Sequence, residues 1–293
     1  CRDDMLYSTT VLLVVKTPAR RPDVFRPAGR RLGAARFARL PTFTREAECP
    51  MPTTHLSLYV TADEEAMAHE AATIIAGQCA EAIAKRGVFT IALSGGKTPV
   101  PLYRLLSTPQ WTKALDWSKT VVYWADERCV PPESEDSNYR LARTELLSRV
   151  EATRFYRMKG EDTPQAAALA YAKLLADHFC LIPGEFPRFD CILLGVGTDG
   201  HTASLFSGDP ALMDTENLVA DVYHPKQKTP RLTLTLPVLN NARCCIVLAS
   251  GRIKNHVLST ALNLMAAPVL PAQMVRPHNG KLCWVIDNNA YQG

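Results

Sequence analysis

From Leu56 onward, short β-prone apolar runs alternate with longer segments of helical spacing, and this alternation narrows the fold more than any other feature. Leu56 to Val60 is β-prone, and Ala62 to Lys85 is Ala-rich with apolar residues three and four apart, which predicts a helix. Val88 to Leu93 reads as a buried strand stopped by Ser94-Gly95-Gly96. Pro99 falls where the first turn of a helix tolerates proline, and Leu102, Leu105 and Leu106 give that helix its apolar face. Thr120 to Trp124 is a third strand, and Asn138 to Val150 and Gln165 to Phe179 are helices with a short strand, Phe155 to Met158, between them. Phe189 to Leu194 has almost no polar residue, as a strand covered on both faces requires. Leu232 to Leu236, Cys244 to Ala249 and Leu282 to Ile286 read as further strands, with a helix near Ile253 to Leu264. Repeated β-α units predict an α/β fold: a doubly wound, mostly parallel sheet with helices on both faces.

No internal repeat or low-complexity linker follows Met51, so residues 51–293 are expected to form a single domain. The first fifty residues differ in kind. They hold nine Arg, one Lys and five acids, a net +5, whereas the whole chain carries only +4. The basic excess therefore belongs to a leader and not to a nucleic-acid surface on the folded part. An Arg-rich, acid-poor leader can be an organelle transit peptide. The alternative is an extension upstream of a start at Met51, preferred because a strand and a long helix follow at once. Residues 1–50 are expected to be largely unfolded. Val11 to Val15 is far too short to span a bilayer, which needs about 20 apolar residues. Nine cysteines without C-x-x-C spacing predict buried free thiols in a reducing, cytoplasmic setting, not a disulfide framework or a zinc site.

In a doubly wound sheet, ligands sit at the carboxyl ends of strands, near the point where strand order reverses. Three such ends carry Gly, Asp, Arg and His. Ser94-Gly95-Gly96-Lys97-Thr98-Pro99 lets the backbone approach an anion closely, although a lone Gly-Gly also marks any tight turn. The Walker A spacing is missing, so a single phosphate fits better than a nucleoside triphosphate. Asp126-Glu127-Arg128 supplies an arginine fork suited to a phosphate or a developing oxyanion, or simply a solvated loop. Gly195, Gly197 and Gly200 match G-x-G-x-x-G, but the motif comes late and its apparent helix meets Gly208-Asp209-Pro210 within about ten residues, short for a dinucleotide crossover. His201 beside these glycines suits a general base, with a structural helix-start histidine as the plain alternative. Arg231 and Lys254 are softer candidates for closing a phosphate pocket.

The stretches ALSGGKTPVPLY, WADERCVPPESEDSNYRLAR, ILLGVGTDGHTASLF, RLTLTLPVLNNAR and PAQMVRPHNGKLCWVID, in this order, resemble the 6-phosphogluconolactonase family across roughly residues 56 to 287. The DER…SNY pair and DGHTASLF are specific, the Gly-Gly loop is not, and Ser207 departs from the family's usual Pro after Leu-Phe. The resemblance implies the fold shared with glucosamine-6-phosphate deaminase, hydrolysis of 6-phospho-D-glucono-1,5-lactone, and no metal or organic cofactor. It places His201 as base and Arg128 on the substrate. It puts Ser94, Gly95, Gly96, Thr98, Arg231 and Lys254 on the phosphate side, with Asp126 in the same group. A lactone carbonyl is already activated, so a positioned base and an oxyanion donor suffice, and Asp199 or a backbone carbonyl would fix the tautomer of His201. Ser94 and Ser204 lie in no G-x-S-x-G elbow and are poor nucleophiles.

Two rivals remain at this level. An aminosugar-phosphate isomerase or deaminase would need a carboxylate soon after the histidine, and only Asp209 is available. A sugar-phosphate-sensing domain would need a DNA-binding helix-turn-helix, which residues 1–50 are too rich in Pro and Arg to form. The expected partner is a small sugar-phosphate lactone, with no nucleic acid or membrane, and the chain is expected to act as a monomer or small homo-oligomer.

Overall fold

Continuous apolar runs make the strands, and polar or Gly-rich breaks end them. The computed structural model describes residues 8–15, 53–152, 154–225, 228–262 and 269–291, the first of these as backbone alone. The strands are β1 (Ser8–Val15), β2 (Thr53–Thr61), β3 (Phe89–Leu93), β4 (Thr120–Trp124), β5 (Asp126–Arg128), β6 (Arg154–Phe155), β7 (Cys191–Gly195), β8 (Val219–Val222), β9 (Arg231–Leu234), β10 (Cys244–Ala249) and β11 (Gly280–Asp287). The helices are α1 (Glu64–Arg86), α2 (Val100–Leu106), α3 (Pro109–Ala114), α4 (Asn138–Glu145), α5 (Pro164–Phe179), α6 (Leu236–Asn240) and α7 (Asn255–Ala261). Asp63 caps α1 by accepting from the Ala66 N–H at 2.8 Å, and Gly87 closes it with φ +75°.

Eight strands form one sheet in the order β1-β2-β11-β10-β7-β3-β4-β6, with every pairing parallel. All five residues of β4 and all six of β10 are buried. Successive side chains of a strand point to opposite faces, so both faces of these central strands are covered. The chain runs outward through β3, β4 and β6, then returns to place β7 on the other side of β3. Strand order thus reverses between β3 and β7, and the crevice beyond their carboxyl ends is where a doubly wound sheet takes its ligand. Among the described residues no helix is long and apolar enough to cross a membrane.

Within the leader expected to be largely unfolded, Ser8–Val15 extends the sheet by pairing parallel with β2; the rest of residues 1–50, with Met51, lies outside the described residues. Three expectations are corrected. The run at Leu232 does not join the main sheet. As β9 it forms the middle of a separate antiparallel ladder, β5-β9-β8, and it ends at Leu234, with Leu236, expected to close the strand, already opening α6. Asp126–Arg128, read as loop, is β5 of that ladder. No α-helix follows His201: residues 198–208 turn repeatedly, with positive φ at Gly200, Ala203 and Gly208, before a short 3-10 turn at Pro210–Met213. Residues 263 and 264 of the helix expected near Ile253 lie outside the described residues.

Candidate active site

A cleft of about 590 Å³ opens at the carboxyl ends of β3, β4, β7 and β10. Ser94, Gly95, Gly96, Thr98, Asp126, Arg128, His201, Arg231 and Lys254 all line it. Asp199 reaches it through His201.

Each wall has a local cause. At the end of β3, Ser94 turns inward: its hydroxyl donates to the Leu193 carbonyl at 2.7 Å, and Tyr103 of α2 donates to the Ser94 carbonyl at 2.5 Å. Burial pushes the Tyr103 phenol up, so it stays a donor throughout the neutral range. The loop is thereby clamped between β7 and α2. The Ser94 hydroxyl proton is thus spent within the fold. Gly95 is required by contact: a Cβ there would lie 1.7 Å from Oδ1 of Asn138.

At the end of β4, Glu127 is buried, and its carboxylate accepts from the backbone N–H groups of Arg128, Asn138 and Tyr139 and from the Ser137 hydroxyl, at 2.7 to 3.1 Å. Ser137 in turn caps α4 by accepting from the Arg140 N–H. The DER and SNY strings are therefore one knot that binds β5 to the start of α4. Desolvation pushes the Glu127 carboxyl up, and the three backbone donors oppose that shift. Asn138 adds a bond from Nδ2 to the Asp126 carbonyl at 2.9 Å.

The ladder then sets two cations side by side. In its register Arg128 lies directly opposite Arg231, and both side chains face the cleft. Like charges placed opposite each other on a ladder repel. Burial first, then the Arg128 charge, pulls the Arg231 guanidinium below its ordinary value, and Asp126, Asp136 and Asp199 partly oppose this. Arg128 donates to the Asp136 carbonyl at 2.7 Å, and Arg231 lies over the Phe206 ring, 5.7 Å from its centroid. Asp126 is buried and accepts from the Ser204 hydroxyl at 2.9 Å. Its carboxylate is thus engaged inside the fold, beside Arg231.

At the end of β7, the Asp199 carboxylate accepts from the backbone N–H of His201 at 3.2 Å and pairs with Nδ1 at 2.5 Å. That pairing holds the Asp199 carboxyl well below the usual carboxylate range. An ionised Asp199 makes Nδ1 the protonated nitrogen and leaves Nε2 as the basic one. Gly197 is required here, because a Cβ would lie 2.1 Å from Nδ1. Phe206 packs on the imidazole at 4.6 Å between centroids. The glycines of G-x-G-x-x-G therefore shape a histidine loop. Lys254, past β10 in a 3-10 turn, donates to the Val196 carbonyl, and burial pulls its ammonium down.

Sequence reasoning did not find Glu127, Asn138 and Phe206 as the supports of Arg128, Gly95 and His201. The DER…SNY pairing was the available signal for the first two; Phe206 had none beyond its place in DGHTASLF.

A family model described as glucosamine-6-phosphate isomerases/6-phosphogluconolactonase matches residues 62–284, and the chain belongs to that family. Within it, the chain is 40% identical over 235 residues to a 6-phosphogluconolactonase of Synechocystis sp., covering 79% of this chain and 95% of the relative. A solved 6-phosphogluconolactonase structure from Trypanosoma brucei is similar with a TM-score of 0.73 at 28% identity, covering 80% of this chain and 96% of that one. A monomeric glucosamine-6-phosphate deaminase, at 20% identity and a TM-score of 0.65, shares the fold.

Proposed function

We propose that this chain hydrolyses 6-phospho-D-glucono-1,5-lactone to 6-phospho-D-gluconate, the step that opens the lactone in the oxidative pentose phosphate pathway, with His201 as the general base. The observation that carries the proposal is the convergence of an Asp199-oriented histidine and three cations, Arg128, Arg231 and Lys254, on one cleft. Nε2 of His201 takes a proton from water as the oxygen attacks C1. Arg128 receives the charge that grows on the carbonyl oxygen; as the tetrahedral intermediate collapses the ring C–O bond breaks, and the leaving ring oxygen takes the proton held on Nε2, which restores the base. Arg231, Lys254 and the backbone N–H groups of Gly95, Gly96 and Thr98 hold the phosphate and so orient the distant lactone. The chemistry asks for no metal, because the ester is activated and the cations are already present.

The deaminase reading loses support at Asp209. That carboxylate accepts from the Ala211 N–H at 2.9 Å, capping a 3-10 turn, and does not line the cleft. Seven described cysteines are unpaired, which supports a reducing compartment such as the cytoplasm.

The direct test follows hydrolysis of fresh 6-phosphogluconolactone, corrected for spontaneous opening, beside release of ammonia from glucosamine 6-phosphate. Lactone opening that persists in EDTA, with no ammonia, is expected. Ammonia release, or a lactone rate equal to the spontaneous one, would overturn the assignment.

A further inference from the structure

A larger hollow, about 980 Å³, lies at the opposite rim of the same sheet. It is lined by Val88 and Thr90 at the start of β3, Val121 in β4, and Asp190 just before β7. Asp190 and Gly195 are five residues apart on a strand that rises about 3.3 Å per residue, so roughly 16 Å separates this hollow from the catalytic cleft.

Its charge is unbalanced. Four arginines face it, Arg86, Arg154, Arg188 and Arg243, against the carboxylates Asp190 and Glu185. Asp190 is buried and already well supplied: Arg86 donates to one oxygen at 2.7 Å, and the Thr90 N–H and hydroxyl donate to the other at 2.8 and 3.0 Å. Arg243 stands 3.3 Å from the same carboxylate, yet its buried Nε makes no hydrogen bond. Burial and the neighbouring charges of Arg86 and Arg188 pull the Arg243 guanidinium below its ordinary value. Arg188 is exposed and spends one nitrogen on the Asn279 carbonyl at 3.2 Å. Arg154 likewise spends one nitrogen on the Ser118 carbonyl at 3.1 Å. A single salt bridge would have neutralised Asp190, so the hollow keeps more guanidinium charge than its two carboxylates balance.

The other wall is aromatic. Tyr156 and His178 meet edge to face at 4.2 Å between centroids, and Phe179 lines the hollow beside them. A flat ring can lie against such a wall.

We infer that this hollow is a second binding site, for a small phosphorylated ligand that carries an aromatic ring, the chemistry of a mononucleotide. The arginines hold the phosphate through their fixed forks, and the aromatic wall takes the base. The volume is at the upper end of small-ligand pockets, roughly 300–1,000 Å³, and exceeds what inorganic phosphate alone would fill. The inference does not depend on the reaction assigned to the other rim.

Isothermal titration at low salt with AMP, and separately with inorganic phosphate, tests it in the full chain and in an Arg231→Ala background that weakens the catalytic cleft. AMP should bind saturably in both, about tenfold or more tighter than phosphate. Arg188→Ala, an exposed change, and Arg243→Lys, which keeps the charge beside Asp190 but loses the fork, should each weaken AMP roughly tenfold or more. The rate of lactone opening should stay within about twofold in both variants. No saturable AMP binding, AMP no tighter than phosphate, or AMP binding lost in Arg231→Ala but kept in the Arg188 and Arg243 variants would each overturn the assignment.

Discussion

Strand β10 buries all six of its side chains and carries no charge, whereas the ladder of β5 and β9 sets Arg128 directly opposite Arg231. The first arrangement gains stability from apolar area removed from water. The second gives some of it back through repulsion between like charges. The ladder persists because the Glu127 knot and the Asp126–Ser204 bond hold its frame from below. The parallel sheet thus supplies rigidity and collects loop ends at one rim, and the small ladder holds cations that a bound anion would satisfy.

The sharpest separation of chemistry from frame is His201→Asn. Turnover should fall by about two to four orders of magnitude, the usual worth of a positioned base, while thermal unfolding stays near that of the parent chain. Near-native turnover in a folded variant would make His201 structural and leave the cleft without a base.

Glu127→Ala should do the reverse, striking the frame first. It strands buried donors at the start of α4, so denaturant unfolding should show a loss of about 2–4 kcal/mol. KM should rise as Arg128 loses its support. A stability loss below about 1 kcal/mol would show that water or a neighbour replaces the carboxylate, and that the knot does not hold the ladder.

The smallest effect concerns Asp199. Its carboxyl is depressed in the folded state, so its contribution to stability is fully present above the ordinary unfolded value near 4 and is lost as pH falls through the lower folded value. The side chain is 49% exposed, so solvent screening should keep that contribution below about 1 kcal/mol. Asp199→Asn should therefore flatten the acid limb of stability below about pH 4, and carboxyl titration by NMR should place Asp199 under the other exposed aspartates. A normal titration would mean that the pairing with His201 does not persist in solution.

The same contrast explains what could be read from the chain. Thr120–Trp124 and Cys244–Ala249 were legible to the residue, because an uninterrupted apolar β-run bounded by polar breaks has few other uses. The ladder was not. Its strands are three to four residues long and carry charge, and Asp126 pairs with Thr233 across more than a hundred residues, so no local pattern announces it. The helix expected after His201 failed because Gly200 and Gly208 adopt positive φ, with Ala203 beside them, and a helix cannot continue through such residues. The convergence of the candidate site's residues on one cleft was more legible than the fold around it. Strand ends of a doubly wound sheet must gather at one rim, so loops rich in Gly, Arg and His converge there whatever the register. What stayed hidden was which side chains are already engaged: the hydroxyl of Ser94 and the carboxylate of Asp126 face inward partners.

The central claim is that the ladder and Lys254 read the phosphate, while the His201 loop does the chemistry. The measurement that meets it most directly is kcat and KM for phosphorylated and unphosphorylated gluconolactone in the parent chain, Arg231→Ala and Lys254→Ala. Each substitution should raise KM for the phosphorylated lactone about tenfold to a hundredfold, with kcat falling less, and leave the unphosphorylated lactone nearly unchanged. Equal damage to both substrates would contradict the claim and place these cations at the reacting carbonyl or in the frame.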